Sequence, residues 1–250
     1  MAPAASAAIL LLVYAAYGLF PFGSGTISWC DMNQQVIPFL MDFKDILSGK
    51  ANMFLNMQNA GGMSFWGVFL FFISSPFSFL VLLVSKEKIY FLVNIMLLLK
   101  VMLCSLTSCG FMLRRFRSLS AVQASAVSVM YSFCGYMMFY YQNIVWLDIM
   151  CLFPLLLIGL DKLVHEGKPL FYTLIFAAIL TVNFYLSYMV VIFMVLAMGT
   201  YLLFCVPKNE RKKKAFIFCL STLISGLMTG VVWVPSFMQY LSSARTGNLV

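Results

Sequence analysis

Long, uninterrupted apolar runs dominate the chain, and they limit its possible folds more than any other feature. Runs of ~18 or more apolar residues recur along the sequence, and each is long enough to cross a ~30 Å hydrocarbon core as a helix. In lipid, only helices and closed barrels satisfy every backbone polar group, and continuous runs favour helices over barrel strands. With 63% hydrophobic and 10% charged residues, a soluble domain of this length has no way to bury its apolar surface. The pattern predicts an all-α, polytopic membrane helix bundle.

We predict about seven spans and a single transmembrane domain covering residues 1–250. The first span is followed by a loop region at 23–88, and the start of an outward segment lies at 236–250. Because the sequence stops without a terminal feature, we expect it to be the front part of a longer protein. The predicted spans lie at residues 4–22, 89–111, 118–138, 147–163, 169–184, 187–206 and 215–235.

The charges indicate a lipid bilayer as partner and no nucleic acid. The net charge of +8 comes from basic residues in short clusters between apolar runs, and the clearest cluster is KNERKKK at 208–214. Such clusters are typical of loops on the cytoplasmic side, so the chain is predicted to be a multi-pass membrane protein with these loops in the cytoplasm. The seven cysteines form no CxxC pair, and we predict neither a metal site nor a disulfide framework from them.

The apolar run at 63–85 leaves two topologies open. Ser74, Ser75 and Pro76 interrupt its middle, and Pro76 removes a backbone donor and kinks or ends a helix. If the run crosses the membrane, the preceding loop is cytoplasmic, whereas that loop is outside if the run is re-entrant or interfacial. Charge alone leans slightly towards the crossing version.

The first loop carries the acid that most invites a functional interpretation. The stretch WCDMNQQVIPF places Asp31 just beyond the first span, in a chain with only eight acidic residues. A positioned carboxylate acts as a general base on a hydroxyl nucleophile. The alternative is that Asp31 caps a helix that begins near Asn33, since Asp is a favoured N-cap residue.

Six motifs in order resemble the bacterial YfhO membrane-protein family over the whole chain. They are CDMNQQVIPFL, GGMSFWG, SSPFSFL, NIVWLDIMCLFPLLLIGLDKLVHEGK, NFYLSYMVVIF and VPSFMQYLSSAR. The resemblance implies a glycosyltransferase of the GT-C class, in which Asp31 is the catalytic carboxylate. It also implies that the first loop at 23–88 faces outward and holds interfacial helices, and that the run at 63–85 is re-entrant or interfacial. Gln35 and Pro38 also match the family pattern, whereas Gln34 and Val36 depart from it at positions where bulkier or aromatic residues are expected.

The resemblance further implies a polyprenyl-phosphate sugar as donor. We expect the acceptor to be an extracytoplasmic hydroxyl, such as that of a cell-wall glycopolymer. No cofactor is certain, although a divalent cation is one way to hold the leaving phosphate; Arg245, a lone cation in the last segment, is the other.

The other candidate substrate-binding residues each carry an alternative structural interpretation. Asp148, together with Asn143, is expected either to contact the acceptor or a metal, or to place a negative charge in the first turn of a span, where it complements the helix dipole. Lys100 is expected either to attract the donor phosphate electrostatically from mid-span, or to pair with a backbone carbonyl. Asn183 and Tyr185 bind sugar, or simply form a tight outer turn.

Two other classes of function remain open from the sequence. The broken run at 63–85 and the mid-span Lys100 are also features of a transporter or lipid flippase. A non-catalytic assembly partner is the third hypothesis.

Overall fold

The computed structural model describes residues 1–57, 62 and 64–241, and it is helical with no strand in those ranges. The predicted all-α helical bundle is therefore confirmed. The chain divides into two compact units, Met1–Pro154 and Leu155–Val250, and each is described by itself. The expectation of a single membrane domain stays a prediction.

Eleven α-helices make up most of the described chain, with short 3-10 and π-helical turns between them. The helices are α1 (Ala2–Ala16), α2 (Ile37–Leu47), α3 (Phe65–Val68), α4 (Ile89–Arg115), α5 (Ala121–Ser132), α6 (Gly135–Phe139), α7 (Leu147–Asp161), α8 (Leu170–Val182), α9 (Phe184–Cys205), α10 (Lys208–Met228) and α11 (Gly230–Leu241).

Fewer helices have the length of a membrane span than the seven runs predicted. In the described ranges, three stretches are long and apolar enough, Lys86–Arg115, Ile144–Glu166 and Phe184–Cys205, and the number rises to five if two bent pairs each count as one span. The predicted spans at 4–22 and 169–184 appear as the shorter helices α1 and α8. The predicted span at 118–138 is divided between α5 and α6, and the one at 215–235 bends by 70° between α10 and α11.

In the first unit, α1 packs antiparallel to α4. The hydroxyl of Tyr14, near the end of α1, donates to the carbonyl of Asn94, near the start of α4, over 3.0 Å. The Asn94 side chain then holds the chain that follows α1: Nδ2 donates to the Phe20 carbonyl at 3.0 Å, and Oδ1 accepts from the Ile27 amide at 3.1 Å. Residues 17–88 therefore leave and rejoin the helix pair at the same end.

The segment within 63–85 bends where the sequence predicts a break. A helical stretch over Phe65–Ile73 and a 3-10 helix over Pro76–Leu83 meet at 104°, and Ser75 caps the second by accepting from the Phe77 amide. The bend lies beside the middle of α4, where Ser75 Oγ accepts from Lys100. The chain then returns to the start of α4, so the re-entrant or interfacial arrangement agrees with this geometry better than a crossing.

In the second unit, α8 packs closely against α10 and against the end of α7. A Cβ added at Gly159 would lie 2.7 Å from the Tyr172 Cα, so this contact between α7 and α8 requires glycine. Across the other contact, Tyr172 and Thr222 share a hydrogen bond of 3.0 Å, and Ser225 donates to the Thr173 carbonyl at 2.9 Å. Hydroxyl contacts of this kind hold helices together where lipid supplies no hydrophobic driving force.

Candidate functional site

Asp31 lies at a sharp turn just before a π-helical turn, Met32–Val36, that leads into α2. The preceding residue, Cys30, has a φ of +46°, a left-handed conformation that costs a non-glycine residue some strain. The Asp31 carboxylate caps no backbone amide. It accepts instead from Gln35 Nε2, at 3.3 Å from Oδ1, so the proposed capping role does not describe its side chain.

A second amide reaches Asp31 from a distant part of the chain. Asn143, which is only 6% exposed, donates from Nδ2 to Asp31 Oδ2 at 3.4 Å. The Asn143 backbone is itself held, since its amide donates to the Tyr140 carbonyl and its carbonyl accepts from the Trp146 amide. Each carboxylate oxygen of Asp31 therefore has one neutral amide donor, and three of the predicted site residues come together here.

The other carboxylates of the first loop have different surroundings. Asp45 forms an ion pair with Lys86. Asp42 accepts from Asn56 Nδ2 at 3.1 Å, and burial raises the pKa of the Asp42 carboxyl while this hydrogen bond lowers it. Among the described residues, no ammonium or guanidinium group forms an ion pair with Asp31.

Lys100, near the middle of α4, forms a buried ion pair with Asp148 in the first turn of α7. The Lys100 side chain is fully buried, and its Nζ lies 2.5 Å from Asp148 Oδ1 and 3.0 Å from Ser75 Oγ. The same ammonium group lies 5.0 Å from the centre of the Phe77 ring. The partners of Lys100 are thus a carboxylate and a hydroxyl, and in the described ranges its Nζ donates to no backbone carbonyl, in contrast to the predicted structural role.

The two clusters are joined by a short buried connection. Asp148 follows Asn143 by five residues, and a 3-10 turn over Ile144–Trp146 lies between them with Ile144 and Val145 each 1% exposed. The first turn of α7 is further tied to α4 because Cys151 Sγ donates to the Lys100 carbonyl at 3.3 Å. The ion pair therefore anchors the segment that carries Asn143 to Asp31.

Three of the predicted site residues lie elsewhere. Asn183 and Tyr185 belong to the second unit, where Asn183 Oδ1 caps α9 by accepting from the Leu186 amide at 2.8 Å. Tyr185 is 38% exposed and contacts the Tyr188 ring. Arg245 lies outside the described residues.

The contacts of Asn94 and Ser75 were not predicted from the sequence, which indicated Ser75 only as part of the break at 74–76. Asn94 is fully buried and makes three hydrogen bonds to α1 and the loop after it, and Ser75 completes the Lys100 site. The available signal for Asn94 was a lone amide in the apolar run YFLVNIMLLLK, since polar side chains in such runs are rarely without a partner.

The donor set around Asp31 does not by itself build a metal site. In the described part of the chain, no group of three His, Cys, Asp or Glu side chains is placed to hold a metal ion. The amides of Gln35 and Asn143 present N–H donors to Asp31, whereas a divalent cation requires oxygen ligands.

Comparison with known proteins supplies the family. The model of the family described as bacterial membrane protein YfhO matches residues 4–249. The chain belongs to the YfhO family. The match covers nearly the whole sequence, so every candidate residue from Asp31 to Arg245 falls inside the YfhO region. No curated protein and no solved structure matches the chain.

Proposed function

We propose that the protein is an integral-membrane glycosyltransferase that moves a sugar from a polyprenyl-phosphate carrier to an extracytoplasmic hydroxyl, such as that of a cell-wall glycopolymer. One observation carries the proposal. The Asp31 carboxylate is held by two neutral amide donors from Gln35 and Asn143, and it has no cationic partner in the described ranges. Membership of the YfhO family supports a membrane glycosyltransferase role in general terms.

The orientation of the chain in the membrane forms part of the proposal. The positive-inside rule assigns the end of α4, with Arg114 and Arg115, to the cytoplasm. Since residues 17–88 leave and rejoin the helices at the opposite end of α4, the first loop and Asp31 then face outward. An outward Asp31 meets acceptors that lie outside the cytoplasmic membrane.

The chemistry assigned to Asp31 is general-base catalysis. As the acceptor oxygen attacks the anomeric carbon, Asp31 takes the hydroxyl proton, the new C–O bond forms, and the bond to the phosphate oxygen breaks. In-line attack inverts the anomeric carbon and releases polyprenyl phosphate. Gln35 and Asn143 hold the carboxylate in place for this step.

The transporter or flippase hypothesis has less support from the contacts. One of its two sequence arguments was the mid-span Lys100, and the charge of that residue is compensated by Asp148 in a buried ion pair. Asp31, by contrast, is partly exposed and is held by neutral groups. A non-catalytic assembly partner would not require a carboxylate held as Asp31 is by Gln35 and Asn143.

The test is sugar transfer in membrane vesicles, from a labelled polyprenyl-phosphate sugar to acceptor. Asp31→Asn keeps the size of the side chain and removes the base, so transfer should fall about 10²- to 10⁴-fold, the usual contribution of a general base. Asp42→Asn is the matched control, because Asp42 lies in the same loop and also accepts from an amide. Parental transfer by the Asp31→Asn protein would refute the assignment, and transfer by neither variant nor parent would favour the other classes.

A further inference from the structure

A groove opens beside the first two turns of α4 in the first unit. It has a volume of about 430 Å³, and its lining is almost entirely apolar, with a single charged side chain, Lys88, among the lining residues. The lining residues are Phe20, Gly23, Ser24, Val84, Lys88, Phe91, Leu92 and Ile95. Ile95 is 38% exposed, so the groove opens on the outer surface of α4 and not towards the core.

One wall of the groove is a tight loop that closes on itself after α1. The Phe20 amide donates to the Gly25 carbonyl at 2.8 Å, and the Gly25 amide donates to the Gly18 carbonyl at 3.0 Å. A Cβ added at Gly23 would lie 2.3 Å from the Gly18 carbonyl oxygen, so the loop requires glycine there. Asn94 fixes this wall to α4 through Phe20, whose ring lies 5.2 Å from that of Phe91. The groove is therefore preformed.

Lys88 is the cation at the end of the groove that lacks a partner. Its neighbour Lys86 is paired with Asp45, whereas Lys88 makes no ion pair and no hydrogen bond from Nζ among the described residues. The ammonium group of Lys88 is thus free to bind an anion.

The length of α4 places Lys88 at the level of lipid phosphates. At 1.5 Å per residue, the helix from Lys88 to Arg115 is about 40 Å long. This matches the ~40–45 Å thickness of a bilayer with its headgroup regions. With the arginines at one headgroup level, Lys88 lies at the other, and the groove runs from it about 10 Å along α4 to Ile95.

We propose that this groove binds the polyprenyl-phosphate carrier, with its phosphate on Lys88 and the first carbons of its chain across Phe20, Phe91 and Ile95. The inference rests on the proposed function and locates its donor. Asp31 follows Ile27 by four residues, which span at most about 14 Å, and the Ile27 amide is bonded to Asn94 of the same helix that lines the groove. The carrier has one apolar chain and one phosphate, and the groove offers one apolar surface and one cation, Lys88.

The experiment measures binding of a fluorescent C20 polyprenyl phosphate that carries no sugar, with the protein in nanodiscs. Lys88→Gln should weaken binding about tenfold to a hundredfold, as expected for loss of a charge-assisted hydrogen bond to phosphate. Ile95→Trp should fill the groove and weaken binding of both the phosphate and the uncharged polyprenol, whereas Lys88→Gln should leave polyprenol binding unchanged. Lys50→Gln, an exposed lysine of the same loop, is the matched control.

Competition identifies the source of the phosphate. Unlabelled polyprenyl phosphate should displace the probe at far lower concentration than phosphatidylglycerol or inorganic phosphate. Equal affinities for the Lys88→Gln and Lys50→Gln proteins would overturn the proposal, as would equal competition by phosphatidylglycerol or by inorganic phosphate. Asp31→Asn should bind the probe normally. If Asp31→Asn abolishes sugar transfer but Lys88→Gln binds the probe normally, the groove assignment is wrong and the proposed function stands. If Asp31→Asn transfers sugar normally but Lys88→Gln binds the probe weakly, the general-base assignment is wrong and the groove assignment stands.

Discussion

Replacing Lys100 by Met tests whether the buried ion pair anchors the first unit. The substitution keeps the apolar stem but leaves the Asp148 carboxylate, 3% exposed, without its cation. Asp148 Oδ2 already has no hydrogen-bond partner among the described residues, so no second donor takes over. Removing one member of a buried pair typically costs about 3–5 kcal/mol, because the remaining charge is desolvated and uncompensated.

The double variant separates this effect from simple loss of packing. In Lys100→Met with Asp148→Leu, both charges are absent, and replacement of a buried pair by apolar residues is often neutral or stabilising. We therefore expect each single variant to lose about 3–5 kcal/mol of stability and the double variant to recover most of it. Ser75→Ala should cost less, about 1.5–3 kcal/mol, since it removes one hydrogen bond to a charged group.

The assay is unfolding of the purified protein in detergent, followed by circular dichroism as denaturant is added. A double-mutant cycle yields the coupling energy between Lys100 and Asp148, and contacts within one buried pair should couple by a large part of the single-variant loss. Additive effects, with a double variant as unstable as the two losses together, would refute the reasoning and return Lys100 to the role of an independent side chain.

Three further predictions concern topology, donor binding and helix capping. A cysteine in place of Lys50, with other cysteines removed, should react with an impermeant thiol reagent in intact cells; labelling only after the membrane is opened would mean that the first loop is cytoplasmic. Arg245→Ala should weaken apparent affinity for the polyprenyl-phosphate sugar more than Arg245→Lys, because lysine keeps the charge but loses the planar fork; equal, near-parental affinities would remove Arg245 from the site. Asn183→Ala should lower stability by about 0.5–2 kcal/mol through loss of the α9 cap, and Asn183→Asp should restore it; a fall in transfer with no change in stability would instead favour a sugar-binding role.

Local sequence pattern determined the class of fold and the position of its main interruptions. The apolar runs require helices because lipid offers no other partner for the backbone. The Ser-Ser-Pro break at 74–76 appears as the 104° bend, since proline removes a donor at that point. The run at 118–138 shows the limit of this reasoning, because hydrophobicity continues through Phe133 and Cys134, where the helix stops.

In the candidate site, too, some contacts follow from sequence spacing and others depend on tertiary packing. Asp31 and Gln35 are four residues apart, so one helical turn already places their side chains together, and the sequence by itself indicated both. The partners Asn143 and Asp31 are 112 residues apart, and Lys100 and Asp148 are 48 apart. No local pattern encodes which faces of two apolar helices meet, because nearly every face of such a helix is hydrophobic. The tertiary packing of α4, the re-entrant bend and the first turn of α7 alone decided that Lys100 faces a carboxylate and that Asn143 reaches Asp31.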